Sequence, residues 1–354
     1  MPDRPSPERV PTLPTVPAVS TLPQEPAAMA HLPEPVSKRP GVCAVHSIDH
    51  YTLTVPDLAQ ARDFYEAFGL RVACGEQAGR PCLDLYTHGH PQAWASLVQA
   101  PGPQRLQYLS LGLFAEDEAA FARRLDERRL HAAPHPLARD AGGWWLQAPD
   151  GLHLQLRVAD KVSPSVKAPP SRVAVAPGQG AAPARSRAGR VRPRRLSHLL
   201  LFTPDVGRAR GFYTGVLGLR LSDHAGDGIA FLHGAHGSDH HLIALARSSA
   251  PGLHHSSWEV GSIHELGLGA EGMRQAGHVD GWGLGRHVLG SNYFHYVRDP
   301  WGGWVEYSFD MDHIPADLDW PAADHAPEDA FYVWGPALPP DFVTHPEANS
   351  RAAD

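Results

Sequence analysis

Cysteine is scarce. The 354 residues hold three, Cys43, Cys74 and Cys82, with no CxxC pair among them. A disulfide scaffold and a thiolate zinc site are therefore not expected, and a reducing, cytoplasmic location fits. Long apolar runs are missing too. No stretch reaches the roughly 18 apolar residues of a membrane span, so no membrane partner is expected. The N-terminus lacks the basic segment and apolar stretch of a secretory signal. Positive charge is also short: 31 Lys and Arg face 38 Asp and Glu, a net charge of −7. That balance argues against general nucleic-acid binding.

Proline is plentiful overall but rare in two places. Of 35 prolines, 11 fall in residues 1–40, 6 in 160–195 and 7 in 311–354. The stretches between them are each long enough to bury a core. The expected map is a disordered Pro-rich arm (1–40), an N-terminal domain (41–159), a basic Pro-rich linker (160–195), a C-terminal domain (196–312) and a tail (313–354). Residues 161–195 hold nine basic residues and no acidic one. No aromatics interleave them, which favours a solvated, self-repelling linker over a nucleic-acid contact. The tail carries Trp320, Phe331, Tyr332, Trp334 and Phe342. So many aromatics in an irregular segment predict packing against a domain, and the tail is expected to act as a lid.

The two stretches repeat each other. SIDHYTLTVPDLAQARDFYEAFGLRV matches RLSHLLLFTPDVGRARGFYTGVLGLRL, and APDGLHLQL matches DPWGGWVEYS. Each opening reads as a strand, an Asp-capped helix (Asp57, Asp205) and a second strand begun by Gly-Leu-Arg. The middles read as another strand and helix, with a capping-box start at Ser262 and Glu265. The expected fold is α+β: two tandem domains, each of paired βαβββ modules. Aligning the halves sets His50 on His198, Tyr108 on His255 and Gln155 on Glu306.

One copy thus carries His/Tyr/Gln and the other His/His/Glu. Two imidazoles and one carboxylate on three separate strands make a facial triad for a divalent metal, with open positions for substrate and dioxygen. The first half lacks a second imidazole and a charge, and reads as a degenerate copy. His254 and His255 are strand neighbours and point to opposite faces, so one of them binds; the repeat selects His255. Histidine is abundant around these positions, with 12 of the 23 between residues 196 and 310.

Residues 41–315, and most specifically 196–310, resemble the two-domain type I extradiol ring-cleaving dioxygenases of the vicinal oxygen chelate superfamily. SHLLLF, HHLIAL, GLHHSSWEV, GRHVLGSNYFHYVRDPWG and WVEYS carry the resemblance. It implies the vicinal oxygen chelate fold, a metal held by His198, His255 and Glu306, and Fe(II) with Mn(II) as the alternative. It implies His241 as acid/base, with His240 beside it left open, and Tyr296 and His287 as hydrogen-bonding partners of substrate or oxygen. The implied partners are a catechol, O2 and further copies of the chain in a homo-oligomer. The implied product is a muconic semialdehyde. The rival readings are another metalloenzyme of the superfamily, such as a glyoxalase-like isomerase or a thiol transferase, and a non-catalytic binding protein.

Overall fold

The structure, a computed structural model, describes residues 35–172 and 174–346. The expected arm lies outside the described residues as far as Glu34, and so does the tail beyond Pro346. The first half runs β1 (Ser47–Val55), α1 (Leu58–Ala67), β2 (Arg71–Gln77), β3 (Arg80–Tyr86), β4 (Ala93–Gln99), β5 (Arg105–Leu113), α2 (Glu118–Arg128), β6 (Trp144–Gln147) and β7 (His153–Val158). The second runs β8 (Arg195–Thr203), α3 (Val206–Gly215), β9 (Arg220–Ala225), β10 (Ile229–His233), β11 (Ser238–Asp239), β12 (Ile243–Arg247), β13 (Gly252–Glu259), α4 (Ile263–Gln275), β14 (Gly281–His287), β15 (Tyr293–Arg298) and β16 (Trp304–Phe309). The tail adds β17 (His313–Ile314), β18 (Ala323–Asp324) and β19 (Tyr332–Trp334).

Helix starts follow from side-chain caps. Asp57 accepts the Ala59 and Gln60 amides at 2.8 and 3.1 Å, and Asp205 accepts the Arg208 amide at 2.8 Å. At α4, Ser262 accepts the Glu265 amide while Glu265 reaches back to the Gly261 amide. These bonds satisfy first-turn donors that have no partner inside the helix.

The first half forms a seven-stranded sheet, β2-β3-β4-β1-β5-β7-β6. The second forms a ten-stranded sheet, β18-β9-β10-β12-β8-β13-β16-β15-β14-β19, edged on both sides by tail strands. The α+β fold of paired modules is therefore present, with one departure. The second module of the first half has two strands after its helix rather than three. The segment between α2 and β6 contains Pro134 and Pro136, which cannot donate to a ladder, and it stays irregular. One continuous apolar core joins the halves. Tyr307 stacks on Phe68 at 3.8 Å and donates its hydroxyl to the Phe68 carbonyl at 2.8 Å.

The strand registers reproduce the sequence repeat. Thr52 pairs with Tyr108 and Ser110 with Gln155 in one half; Leu200 pairs with His255 and Ser257 with Glu306 in the other. Both copies also carry a bulge at the same place, beside Tyr108 and beside His255.

Candidate metal centre

Three strands bring His198 (β8), His255 (β13) and Glu306 (β16) to one point. Ser257 of β13 lies opposite both His198 and Glu306, so those two side chains emerge on one face from the strands that flank β13. His255, two residues before Ser257 and opposite Leu200, shares that face by simple alternation, and the bulge falls at its neighbour His254. The two Nε2 atoms are 3.1 Å apart, and Glu306 Oε2 lies 3.2 Å from His198 and 3.4 Å from His255. All three residues are buried. Among the described residues this is the one such cluster of ligand atoms.

The donor set fits a divalent cation. Glu306 Oε2 is buried without a hydrogen-bond partner. Burial alone would raise the Glu306 carboxyl, but the imidazoles of His198 and His287 outweigh it and hold it below its usual value. Burial and the neighbouring imidazoles keep His255 well below the ordinary histidine range, so it is neutral with a lone pair to give. A buried anion facing two imidazole nitrogens lacks positive charge, which a divalent metal would supply.

Each doubled histidine resolves into an inner and an outer ring. His255 Nδ1 meets His254 Nδ1 at 2.7 Å, and His254 Nε2 meets the Phe342 carbonyl at 2.8 Å. A carbonyl only accepts, so His254 donates to it from Nε2. His254 Nδ1 then takes the His255 Nδ1 proton, and the His255 lone pair is left at Nε2, facing the site. His241 is the inner ring of the other pair. It packs 4.2 Å from His198 between ring centres, while His240 turns away to Asp223 and Trp320. His241 also sits well below the ordinary histidine range, first through burial and then through the imidazoles around it.

Tyr296 and His287 meet at 2.9 Å, and His287 Nδ1 meets the Phe331 carbonyl at 2.9 Å. His287 thus donates to the carbonyl and accepts the Tyr296 hydroxyl proton at Nε2. Burial and the nearby Glu306 charge raise the Tyr296 phenol well above its usual value, so it remains a donor. Sequence reading missed Asn292, which donates to Glu306 Oε1 at 3.2 Å and leaves its own Oδ1 without a partner. It missed His254, Asp223 and the two tail carbonyls as well. The doubled His-His pairs were the visible signal for His254; the others depend on long-range folding.

A cavity of about 50 Å³ opens on these groups. Its apolar walls include Leu200, Phe231, Leu289, Phe331 and Phe342. Of the tail aromatics, Phe331 and Phe342 wall the cavity, Trp320 packs on the outer His240, and Trp334 is largely exposed. A larger open groove of about 700 Å³ lies between α1, α4 and residues 185–191, away from the ligand cluster. In the first half, the Tyr108 hydroxyl lies 2.9 Å from His50 Nε2, and Gln155 donates to the Gly142 carbonyl at 2.8 Å. That copy is closed by its own hydrogen bonds.

Two histidines and a glutamate on strands of a duplicated βαβββ module define a vicinal-oxygen-chelate protein with a candidate metal site. Residues 195–307 match the glyoxalase/bleomycin resistance protein/dioxygenase superfamily. Metapyrocatechase 2 of Cupriavidus necator is 50% identical over 306 residues, which cover 86% of this chain and 93% of that protein. Biphenyl-2,3-diol 1,2-dioxygenase of Pseudomonas sp. strain KKS102 is 28% identical, covering 66% and 80%. An Mn(II)-bound glyoxalase from Novosphingobium aromaticivorans shares the fold with a TM-score of 0.65 at 26% identity, over 85% of this chain and 95% of that one. Homoprotocatechuate 2,3-dioxygenase of Brevibacterium fuscum has a TM-score of 0.66 at 20% identity, covering 88% and 84%. The chain belongs to the metapyrocatechase-type extradiol dioxygenases.

Proposed function

We propose that this enzyme opens a single-ring catechol beside its two hydroxyls with O2, using Fe(II) held by His198, His255 and Glu306. The observation that carries this reading is the open face of that triad, where three ligand atoms converge under a small apolar-walled cavity. Held by His198, His255 and Glu306, a divalent metal would supply Lewis acidity to a catechol and an open face for dioxygen. Both oxygen atoms end in the muconic semialdehyde product, so no external reductant is required.

The protein's own groups handle protons and fit. His241 takes the proton of a catechol hydroxyl and returns it during turnover, which suits a buried neutral imidazole. Tyr296 donates to the deprotonated catechol oxygen; a charged oxygen is a stronger acceptor than the neutral His287 ring it meets here. His287 hydrogen-bonds substrate or oxygen. Asn292 steadies Glu306. Phe331 and Phe342, both from the tail, close the pocket as a lid. The cavity is well below the roughly 150 Å³ that holds a benzene ring in a protein interior. One ring therefore enters with the lid side chains moving aside, and a second ring would need more room still. The first module of the second half gives His198 and the second gives His255 and Glu306, while Tyr108 closes the corresponding place in the first half.

The supporting context is consistent. The three cysteines are unpaired, as in a reducing cytoplasm, and no described helix is long and apolar enough to cross a membrane. Aromatic catabolism as a homo-oligomer is the corresponding cellular role. The test is oxygen uptake on a panel of catechols after anaerobic loading with Fe(II) or Mn(II). A yellow product, faster with iron and with single-ring substrates than with a 2,3-dihydroxybiphenyl, is expected. Equal or greater kcat/KM on the two-ring substrate would remove the single-ring assignment.

A further inference from the structure

A chain of polar contacts runs outward from His241 and ends on the tail. His241 and His240 meet Nδ1 to Nδ1 at 3.1 Å. His240 Nε2 lies 2.8 Å from Asp223 Oδ2 on β9. Asp223 accepts from the Trp320 indole at 3.3 Å on the same oxygen, and from the Ala323 amide and His325 Nε2, both at 3.0 Å, on the other. Burial pushes its carboxyl up, but the hydrogen bonds from His240, His325 and Ala323 outweigh burial and hold it at about 2. Asp223 is therefore an ionised acceptor ringed by donors, two of which, the indole and the amide, can do nothing but donate.

That polarity orders the rest of the chain. His240 presents Nε2–H to Asp223. The 3.1 Å Nδ1–Nδ1 contact needs one donor and one lone pair, and with Nε2–H committed to Asp223 the His240 lone pair lies at Nδ1, where it takes the His241 Nδ1 proton. His241 is left with a lone pair at Nε2, the nitrogen free for the pocket. We infer that Asp223 and His240 are positioning residues that hold His241 in its Nδ1–H form, so that it meets substrate as a proton acceptor. The inference rests on the acid/base role proposed above for His241. When His241 takes the catechol proton at Nε2, the charge of the new imidazolium is met through His240 by the Asp223 carboxylate, as in other carboxylate–imidazole couples. Trp320 and His325 give the tail a part in the chemistry beyond closing the pocket.

Asp223→Asn in the full-length, Fe(II)-loaded enzyme tests this. The amide must turn its NH2 toward one side. On one side it meets the Trp320 indole and His240, on the other the Ala323 amide and His325; the indole and the amide only donate, so Asp223→Asn is made in a His325→Phe background, where His240 Nε2 is the one acceptor left, with His325→Phe alone as the reference. The His240 proton then moves to Nδ1, and His241 is driven to its Nε2–H form. The expected result is a kcat lowered about 10²–10⁴-fold, the range of such tautomer inversions, with metal content kept and KM changed less than about threefold. Ring 15N NMR of the metal-free protein reads the tautomer directly: Nδ1–H at His241 in the wild type, Nε2–H in the variant. His240→Asn keeps an acceptor near the Nδ1 position and is expected to keep the tautomer with less than about tenfold loss of kcat. This second variant also serves if Asp223→Asn does not fold. An unchanged tautomer in Asp223→Asn, with or without a loss of kcat, overturns the inference, because Asp223 then only packs. Full turnover in His241→Ala would instead overturn the role of His241, whatever the NMR reports.

Discussion

His241 is the residue on which the proposed chemistry turns, and its neighbour shows why such positions are hard to assign from sequence. Adjacent histidines on a regular strand would point opposite ways, but a bulge at His254 and a bend at His240 bring the Nδ1 atoms of each pair to 2.7 and 3.1 Å, leaving one ring inner and one outer. Which is which depends on the partners of the outer ring. For His254 the partner is the Phe342 carbonyl, 88 residues away. For His240 it is Asp223, presented by the β9–β10 hairpin and fixed by tail residues. Neither partner leaves a local motif. Alignment of the repeat nevertheless selects His255, because Tyr108 occupies the same register in the other copy. His241→Ala is expected to keep its metal and its catechol binding while turnover falls about 10²–10⁴-fold, the usual worth of a positioned acid/base. Steady-state kinetics with metal analysis checks this, and wild-type turnover would reassign the proton transfer.

Elements matter next, and the tail is the most consequential of them. Its aromatic content in a Pro-rich stretch is legible as packing, but its targets are not. Phe342 packs on Trp282, Tyr296 and Trp304, and Phe331 joins the same cluster, which backs the site. Phe342→Ala leaves the backbone carbonyl for His254 but opens space over the cavity. It is expected to raise kcat/KM for a two-ring catechol relative to a one-ring catechol. Stability is expected to fall by about 3–5 kcal/mol, as for other buried Phe→Ala changes. Competition assays with both substrates and denaturant melts measure the two effects; an unchanged preference would mean that Phe342 does not limit the pocket. The missing strand between α2 and β6 is a second element-scale lesson. Repeat matching predicts a third strand there, and two prolines with a loop of their own prevail over it.

For the whole molecule, the histidine surplus is a stability feature as well as a site. His46, His236 and His295 are held near 4 and His233 near 3, in each case mainly by burial. A histidine whose folded value is depressed binds protons better when unfolded. Its stabilisation is complete above the unfolded value of about 6.5 and is lost as pH falls toward the folded value. The metal-free protein is therefore expected to have a flat Tm above pH 7 and a Tm that declines steadily between pH 6.5 and 4. A melting series across that range reads it out, and a Tm level down to pH 4 would contradict the burial of these rings as neutral groups. At this scale the sequence is most informative. Proline mapping and the internal repeat anticipate two related sheets, because duplicated strand–helix units must bury matching faces. The single core shared by the halves is not visible there, since the Tyr307–Phe68 stack joins residues 239 positions apart.

The central claim is that ring cleavage happens at His198, His255 and Glu306. Its most direct test compares wild type with Glu306→Ala, both loaded with Fe(II) without oxygen, then given catechol in air, with bound metal counted in each. Wild type should hold about one iron per chain and consume oxygen as a yellow product appears, while Glu306→Ala should lose both the metal and the reaction. Full ring cleavage by Glu306→Ala would contradict the account.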